Sequence, residues 1–306
     1  MADPAFMSSS VVGIADDAGT TFLALPVTDF RAEATSNPQI IDTFDATRQK
    51  SLVVPGQSTV AINFSGPLTY EDGMQLLLKK AVGGDAWAAG VLLPSETNNK
   101  AAVTFDMNIK LDQATPDYMA LGDCIVSQLS ISAPDQGVVT YDAQIIGTTL
   151  AVTTTGPTAH TPLAGLSPFM VTPAGSTATV AGATGITQGF IGATINITNG
   201  TNSKYAWGSP LPDHVTLGNL NVAGDLEAYY RADGFFDAFS AGTLAAITMT
   251  WKNQEATNNT LIITMTKSSL TGVGLGNSDT TWTTNISFGT QYDATNKKIK
   301  FAVSTV

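Results

Sequence analysis

Two carboxylates, Asp225 and Glu227, lie two residues apart in the alternating segment Val222-Ala223-Gly224-Asp225-Leu226-Glu227-Ala228. As a strand, this segment turns both acids to one face, opposite Leu226 and Ala228. Paired carboxylates are the groups glycoside hydrolysis uses. Here they share one face of one strand, and no aromatic cleft accompanies them, so a solvated face is the favoured reading. The only histidines, His160 and His214, have no neighbouring Cys, and no carboxylate cluster has metal-ligand spacing. Asp16-Asp17 has the look of half a calcium loop, but a solvated turn accounts for it better. Gly272-Val273-Gly274-Leu275-Gly276 resembles a phosphate cradle, yet no helix follows it, and a flexible turn is expected. The single Cys124 excludes an internal disulfide and reads as a small buried apolar residue, not a reactive thiol. No nucleophile elbow, P-loop or EF-hand loop occurs. The expectation is a protein that is not an enzyme and takes no cofactor or metal.

Composition points the same way. The chain has 306 residues, enough for two ordinary cores, and 43% of them are hydrophobic, which argues against disorder. Only 13% are charged, about half the usual share. A β-rich surface with few charges suits a molecule covered by neighbours in an assembly. The formal net charge of −11 disfavours specific nucleic-acid binding, since like charges repel a phosphate backbone. No Lys or Arg precedes Arg31 and no apolar run reaches 18 residues, so neither a secretion signal nor a membrane helix is expected. The chain is therefore expected to be cytosolic when made.

The elements that hold these residues repeat. Asp72 to Val82 has one apolar stripe, Met74, Leu77, Leu78, Ala81 and Val82, which predicts a short helix. Asp72 is expected to cap it, Lys79 and Lys80 fall in the last turn, and Gly83-Gly84 stop it. A second Asp-Gly helix is predicted over Ala232 to Gly242, with Phe235, Ala238 and Phe239 as its stripe. A strand precedes each helix (Val60–Ser65, Val222–Glu227), a polar turn and another strand follow (Val103–Leu111, Leu261–Leu270), and a hairpin ends each half, at Asp135-Gln136-Gly137 and near Asp293–Asn296. The offsets are 233 − 72 = 161 and 222 − 60 = 162. The reading is a tandem duplication: lobe one over 1–150, a linker over 151–168 and lobe two over 169–306. Each lobe is expected to be mainly β with an antiparallel, half-wet sheet covered by one helix, an α+β arrangement. Residues 31–58 form a long segment too apolar for open solvent. Ile40, Ile41, Phe44, Leu52, Val53 and Val54 make it a candidate arm for docking on another subunit.

The runs Ala102-Val103-Thr104-Phe105-Asp106, Tyr118 to Ser132 and Gly137-Val138-Val139-Thr140 resemble the tail tube (major tail) proteins of long-tailed bacteriophages. So do Ala193–Asn199, Tyr205, Gly208-Ser209, Leu217-Gly218, Val222–Leu226, Tyr229-Tyr230 and Phe239. The resemblance spans most of residues 60–290. It implies a structural virion protein of the tail, with β-sandwich or curled-sheet lobes and one flanking helix. It also implies rings stacked into a tube through which DNA passes, and contacts with tape measure, tail terminator and baseplate or tip proteins. Two lobes per chain favour a trimeric, pseudo-sixfold ring, with a hexamer also open. If six lobes each lend four strands, a barrel of about 24 strands at ~4.7 Å spacing and ~40° tilt is roughly 45 Å across, wide enough for a duplex. Candidate bore residues are the acids Asp106, Asp142, Asp225 and Glu227, for which an outer-surface position is the equal alternative. Rival readings are the tube protein of a bacterial contractile secretion or injection machine, an exported carbohydrate-binding or adhesin module, and a hydrolase. Missing signals, exposed aromatic clusters and catalytic constellations weigh against the last two.

Overall fold

The computed structural model describes residues 6–305 apart from 17–20, 37, 42–51, 55, 85, 97–102, 113–116, 157–158, 164–166, 172–175, 182–188, 231–233, 255–258 and 279–280. The first half runs β1 (Phe6–Asp16), β2 (Thr21–Ala24), β3 (Asp29–Ser36), the small pair β4 (Gln39–Ile41) and β5 (Leu52–Val54), β6 (Ser58–Pro67), α1 (Asp72–Val82) and β7 (Val91–Leu92). It continues through β8 (Phe105–Asp112), the long β9 (Asp117–Ala133), β10 (Thr140–Gly147), β11 (Thr149–Thr153) and β12 (Ala159–Thr161). The second half runs β13 (Thr177–Ala181), β14 (Phe190–Thr198), β15 (Asn202–Lys204), β16 (His214–Thr216), β17 (Asn221–Tyr229) and α2 (Gly234–Ser240). Then come β18 (Leu244–Lys252), the long β19 (Asn259–Ser278), β20 (Thr281–Thr290) and β21 (Lys300–Thr305). The chain is mainly β with two short helices, as its alternating sequence predicts.

Eight strands build one continuous antiparallel sheet in the order β3–β6–β10–β9–β14–β17–β20–β19. Period-two alternation gives it a dry face: Val60, Ile62, Phe64, Leu129, Ile131, Tyr141, Ile145, Ile195, Ile197, Leu226 and Ile286 are all buried. The two halves of the chain meet at β9–β14, where Leu129 faces Ile197 and Ile131 faces Ile195. Each long strand then leaves this sheet for a second layer. The first part of β9 pairs with β8 on one edge and β11 on the other, and β8 leads on through β1 and β2 to β12. The first part of β19 pairs likewise with β18, which leads to β13, and with β21, which leads to β7. Where β9 turns the corner, Asp123 takes a left-handed φ of 50°, and a bulge follows between Val126 and Gln128.

Helix α1 fills the space behind the dry face. All five residues of its predicted stripe are buried, with Leu76 beside them. Gly83 adopts φ 62°, and the N–H groups of Gly83 and Gly84 donate to the carbonyls of Lys80 and Lys79, closing a Schellman stop. The expected Asp72 cap is corrected: Glu71 occupies the cap position without a side-chain bond, and Asp72 sits one residue inside, where its charge still meets the helix dipole. In α2, Phe235 and Ala238 are buried but Phe239 is exposed, so the predicted stripe is narrower than expected.

Four further expectations change. Gly272–Gly276 is not a turn but the interior of β19, with Gly272 paired to Ser287 and Gly276 to Thr283 of β20. Arg31–Ser36 belongs to β3 and not to an arm. The stretch expected as a linker is taken into the second layer, with β11 against β9 and β12 parallel to β2. The turn near Asp293 exists, with mutual backbone hydrogen bonds between Asp293 and Lys297, but it joins two strands that both lie along the same edge of β19.

Candidate functional site: a polar sheet face and two open edges

Residues paired across a ladder point to the same side of a sheet. One row can therefore be followed across all eight strands: Asp29 with Ser65, Ser65 with Asp142, Asp142 with Ser130, Ser130 with Asn196, and Asn196 with Ala223. Two residues along β17, Asp225 pairs with Ser287 and Ser287 with Gly272. The side opposite the core is thus a single wet face of small polar residues and glycine. Asp142, Asp225 and Glu227 lie on it together, joined by Asp29 and Glu33 from β3, against one guanidinium, Arg31. Arg31 Nη2 donates to Glu33 Oε1 at 3.1 Å, and Ser287 Oγ donates to Asp225 Oδ1 at 2.6 Å.

The fourth candidate acid is elsewhere. Asp106 sits on β8 in the second layer, half-buried, and accepts the backbone N–H of Asp123 at 3.4 Å. It supports the corner where β9 bends. Among the arm candidates, Ile40 and Ile41 pair in backbone register with Val53 and Leu52, and Gln39 with Val54. Phe44 lies outside the described residues.

Asp225 and Glu227 also line an open hollow of about 600 Å³ with Ser132, Asp135, Thr194 and Asn285. No His, Cys, Lys or Arg is among the described residues that line it. The hollow therefore offers acids and hydroxyls without a basic or cationic partner among the described residues. No group of three His, Cys, Asp or Glu side chains is placed to hold a metal ion among the described residues. His160 is half-buried and packed between Phe22 and Tyr118, with ring centroids at 5.8 and 6.4 Å, and that burial lowers its pKa, so it is placed as an aromatic packing residue. His214 is an exposed neighbour of Asp213 at 2.9 Å. Cys124 is fully buried and its thiol pKa is pushed up by that burial, which makes it inert. Asp16 ends β1, and Asp17 lies outside the described residues. Asp16 lies 2.7 Å from the buried Lys80 ammonium and 3.8 Å from Lys79.

The second half also leans on the first. Asn199, at the end of β14, donates through Nδ2 to the carbonyls of Ala81 in α1 and Val126 in β9, both at 2.8 Å. Beside it, Val215 of β16 packs on Val103 and Ile125 of the first half, with Ile146 and Leu217 around them. Tyr205 Oη donates to the carbonyl of Ser58.

Sequence reasoning missed the two ends of the sheet. Along β3, the outer edge has no strand partner among the described residues. Along β19, residues 270–278 pair with β20 on one edge, while the edge that β18 occupies earlier in the strand is open among the described residues. Leu275 projects there, 55% exposed. A period-two signal was present in both places, Phe30-Ala32-Ala34 in one and Val273-Leu275 in the other, but the glycines and the flanking arm hid it. Exposed aromatic residues were also missed: Tyr229, Tyr230 and Trp282 lie at one end of the β17–β20 pair, where Tyr230 N–H donates to the Trp282 carbonyl. No described helix is long and apolar enough to cross a membrane.

No curated protein matches the sequence. A family model described as phage tail tube protein matches residues 6–290, nearly the whole chain, and the chain belongs to that family of structural tail components.

Proposed function

We propose that this chain is a two-lobed ring subunit of the tail tube, that three copies close a pseudo-sixfold ring, and that stacked rings enclose the bore through which DNA passes. The observation that carries the reading is the continuous eight-stranded sheet with its single acidic, hydroxyl-rich face. Three copies contribute 24 strands, a barrel roughly 45 Å across at the backbone, whereas six copies would give 48 strands and about twice that width. The smaller ring is the one scaled to a duplex about 20 Å wide. Asp142, Asp225 and Glu227 then face the bore with Asp29 and Glu33, repelling phosphates so that DNA slides without being held. Asp106 supports a strand corner outside that face.

The two-lobe reading is supported by matched pairings. The series β1, β3, β6, α1, β8, β9, β10, β11 and the series β13, β14, β17, α2, β18, β19, β20, β21 have the same neighbours in the same order. Even the inserted pairs correspond, β4–β5 after β3 and β15–β16 after β14. Because Val215 of β16 packs on the first lobe, the β4–β5 arm with Ile40, Ile41, Leu52, Val53 and Val54 is assigned the same seat on the next copy. The tube would form in the host cytoplasm, end to end with other tail proteins.

Electron microscopy of the purified protein in negative stain tests the reading. Hollow tubes or rings with threefold mass are expected. A dispersed monomer at high concentration, or a solid filament, refutes it.

A further inference from the structure

We propose that neighbouring copies are joined by antiparallel pairing of β3 of one copy with residues 272–277 of β19 in the next, in the register Ala34 to Val273 and Ala32 to Leu275. This rests on the ring reading above and names the seam that closes the ring. The template lies inside the chain, where the far edge of β9 is filled by β14.

The register transfers residue by residue. Ala34 of β3 pairs with Val60, and Ile197 of β14 pairs with Val222. Val60 and Val222 hold the same place in β6 and β17, so Ala34 corresponds to Ile197, an offset of 197 − 34 = 163. On the other side, Phe64 pairs with Ala143 and Ala143 with Leu129, while Leu226 pairs with Ile286 and Ile286 with Val273. Leu129 therefore corresponds to Val273, an offset of 273 − 129 = 144. Both long strands carry a bulge at the same place, one skipping Ser127 and the other Thr271, which fixes the alignment independently. Within the chain, Ile197 meets Leu129 and Ile195 meets Ile131. Between copies, Ala34 meets Val273 and Ala32 meets Leu275.

Exposure fits this assignment. Ile131 is fully buried by β14, while its counterpart Leu275 stands 55% exposed at an edge with no partner among the described residues. A long unpaired edge carrying an exposed leucine is a site that invites another strand. Small Ala32 and Ala34 opposite Leu275 and Val273 replace the Ile–Ile and Ile–Leu pairs of the internal seam. On the wet side, Gly274 and Gly276 face Glu33 and Arg31, and a Cβ at Gly274 would meet nothing within 4 Å. That leaves room for the Arg31–Glu33 pair to lie across the joint. A head-to-tail seam of this kind is heterologous, and on the ring reading each chain supplies two of the six steps around the ring.

The test is cross-linking of the full chain carrying A32C and L275C, assembled and then oxidised. Facing residues on neighbouring strands lie about 4.5–5.5 Å apart at Cα, within disulfide reach. Cys124 is buried and stays silent. A covalent trimer on a non-reducing denaturing gel is expected from the double variant, and only dimers from a mixture of the two single variants. The pair A32C/G274C, one residue out of register, points its thiols to opposite faces and should link at least tenfold less. As a second line, Leu275→Asp should keep the wild-type circular dichroism and melting profile while losing rings. If tubes form but the A32C/L275C pair does not link, or A32C/G274C links as well, the seam is wrong and the tube stands. If the wild-type protein forms no ring, the tube reading fails and the seam with it.

Discussion

Asn199→Ala should cost the dispersed subunit about 2–3 kcal/mol. The Asn199 side chain is 5% exposed and both its amide hydrogens are used, on Ala81 O at the end of α1 and on Val126 O in β9. A hydrogen bond contributes on the order of 1 kcal/mol net, but a buried acceptor stripped of its partner costs about 1–3 kcal/mol. Two such acceptors would set an upper figure of about 6 kcal/mol. The neighbouring hollow, lined by Gly83, Ser95, Asn199 and Gly218, admits water to one side and brings the expectation down. At about 2–4 °C per kcal/mol for chains of this order, the midpoint should fall by roughly 4–12 °C in a thermal melt under dispersing conditions. Asn199→Asp separates the hydrogen-bond account from simple loss of packing. Its carboxylate would face two carbonyl oxygens at pH 7 and cost more than alanine, and protonation near pH 3 would restore one donor and narrow the gap. An alanine variant within about 0.5 kcal/mol of wild type, or an aspartate variant no worse than alanine at pH 7, refutes the reasoning.

Asp16→Ala should destabilise by about 1–2 kcal/mol, less than the 3–5 expected for a fully buried pair, because Asp16 is more than half exposed although Lys80 is 1% exposed. Burial raises the Asp16 pKa, but the Lys80 hydrogen bond and the Lys80 and Lys79 charges outweigh it and hold the carboxyl below its ordinary value of 3.8. The contribution is therefore complete above about pH 4 and is lost as pH falls through the folded-state value, so urea midpoints of wild type and variant should converge in acid. Replacing Asp142, Asp225 and Glu227 together by Lys turns the proposed bore from net acidic to net basic. Such tubes should retain DNA in a pelleting assay at 50 mM salt and release it near 200 mM, whereas wild-type tubes retain none at either. Deleting residues 36–54 should leave the melting transition cooperative and abolish tube growth; normal tubes from that variant would remove the arm from the assembly.

Much of the fold was legible because alternation is a local signal. Val60-Ile62-Phe64, Tyr141-Ala143-Ile145 and Ile195-Ile197 announce a dry face without any knowledge of their neighbours. The α1 stripe and its Gly83 stop are equally local. What could not be read was which strands become neighbours, since the β9–β14 joint brings Leu129 to Ile197 across a long stretch of sequence. The misread glycines have a related cause. Gly272, Gly274 and Gly276 carry no side chain to reveal their face, and only the pairing with β20 makes them a strand. Asp106 was grouped with the other acids because it also alternates with apolar residues, and nothing in that local pattern distinguishes the second layer from the continuous sheet. The carboxylate face was legible residue by residue, but not as one face.

On the tube reading, the covalent union of two lobes alters how a ring is nucleated. A ring of six separate lobes must form six seams between molecules, each bearing the association entropy of a new partner. Here half the seams are made within the chain, where the effective concentration of one edge for the other is in the millimolar range or above. The internal seam can therefore be apolar, with Ile195, Ile197, Leu129 and Ile131 all buried, because it is never exposed once the subunit has folded. The external seam must remain soluble until a partner arrives, and alanines, glycines and one Arg–Glu pair are what such an edge can carry. Leu275, with the half-buried Val273 beside it, makes the edge adhesive, and its 55% exposure marks the compromise between a subunit that stays dispersed and one that closes.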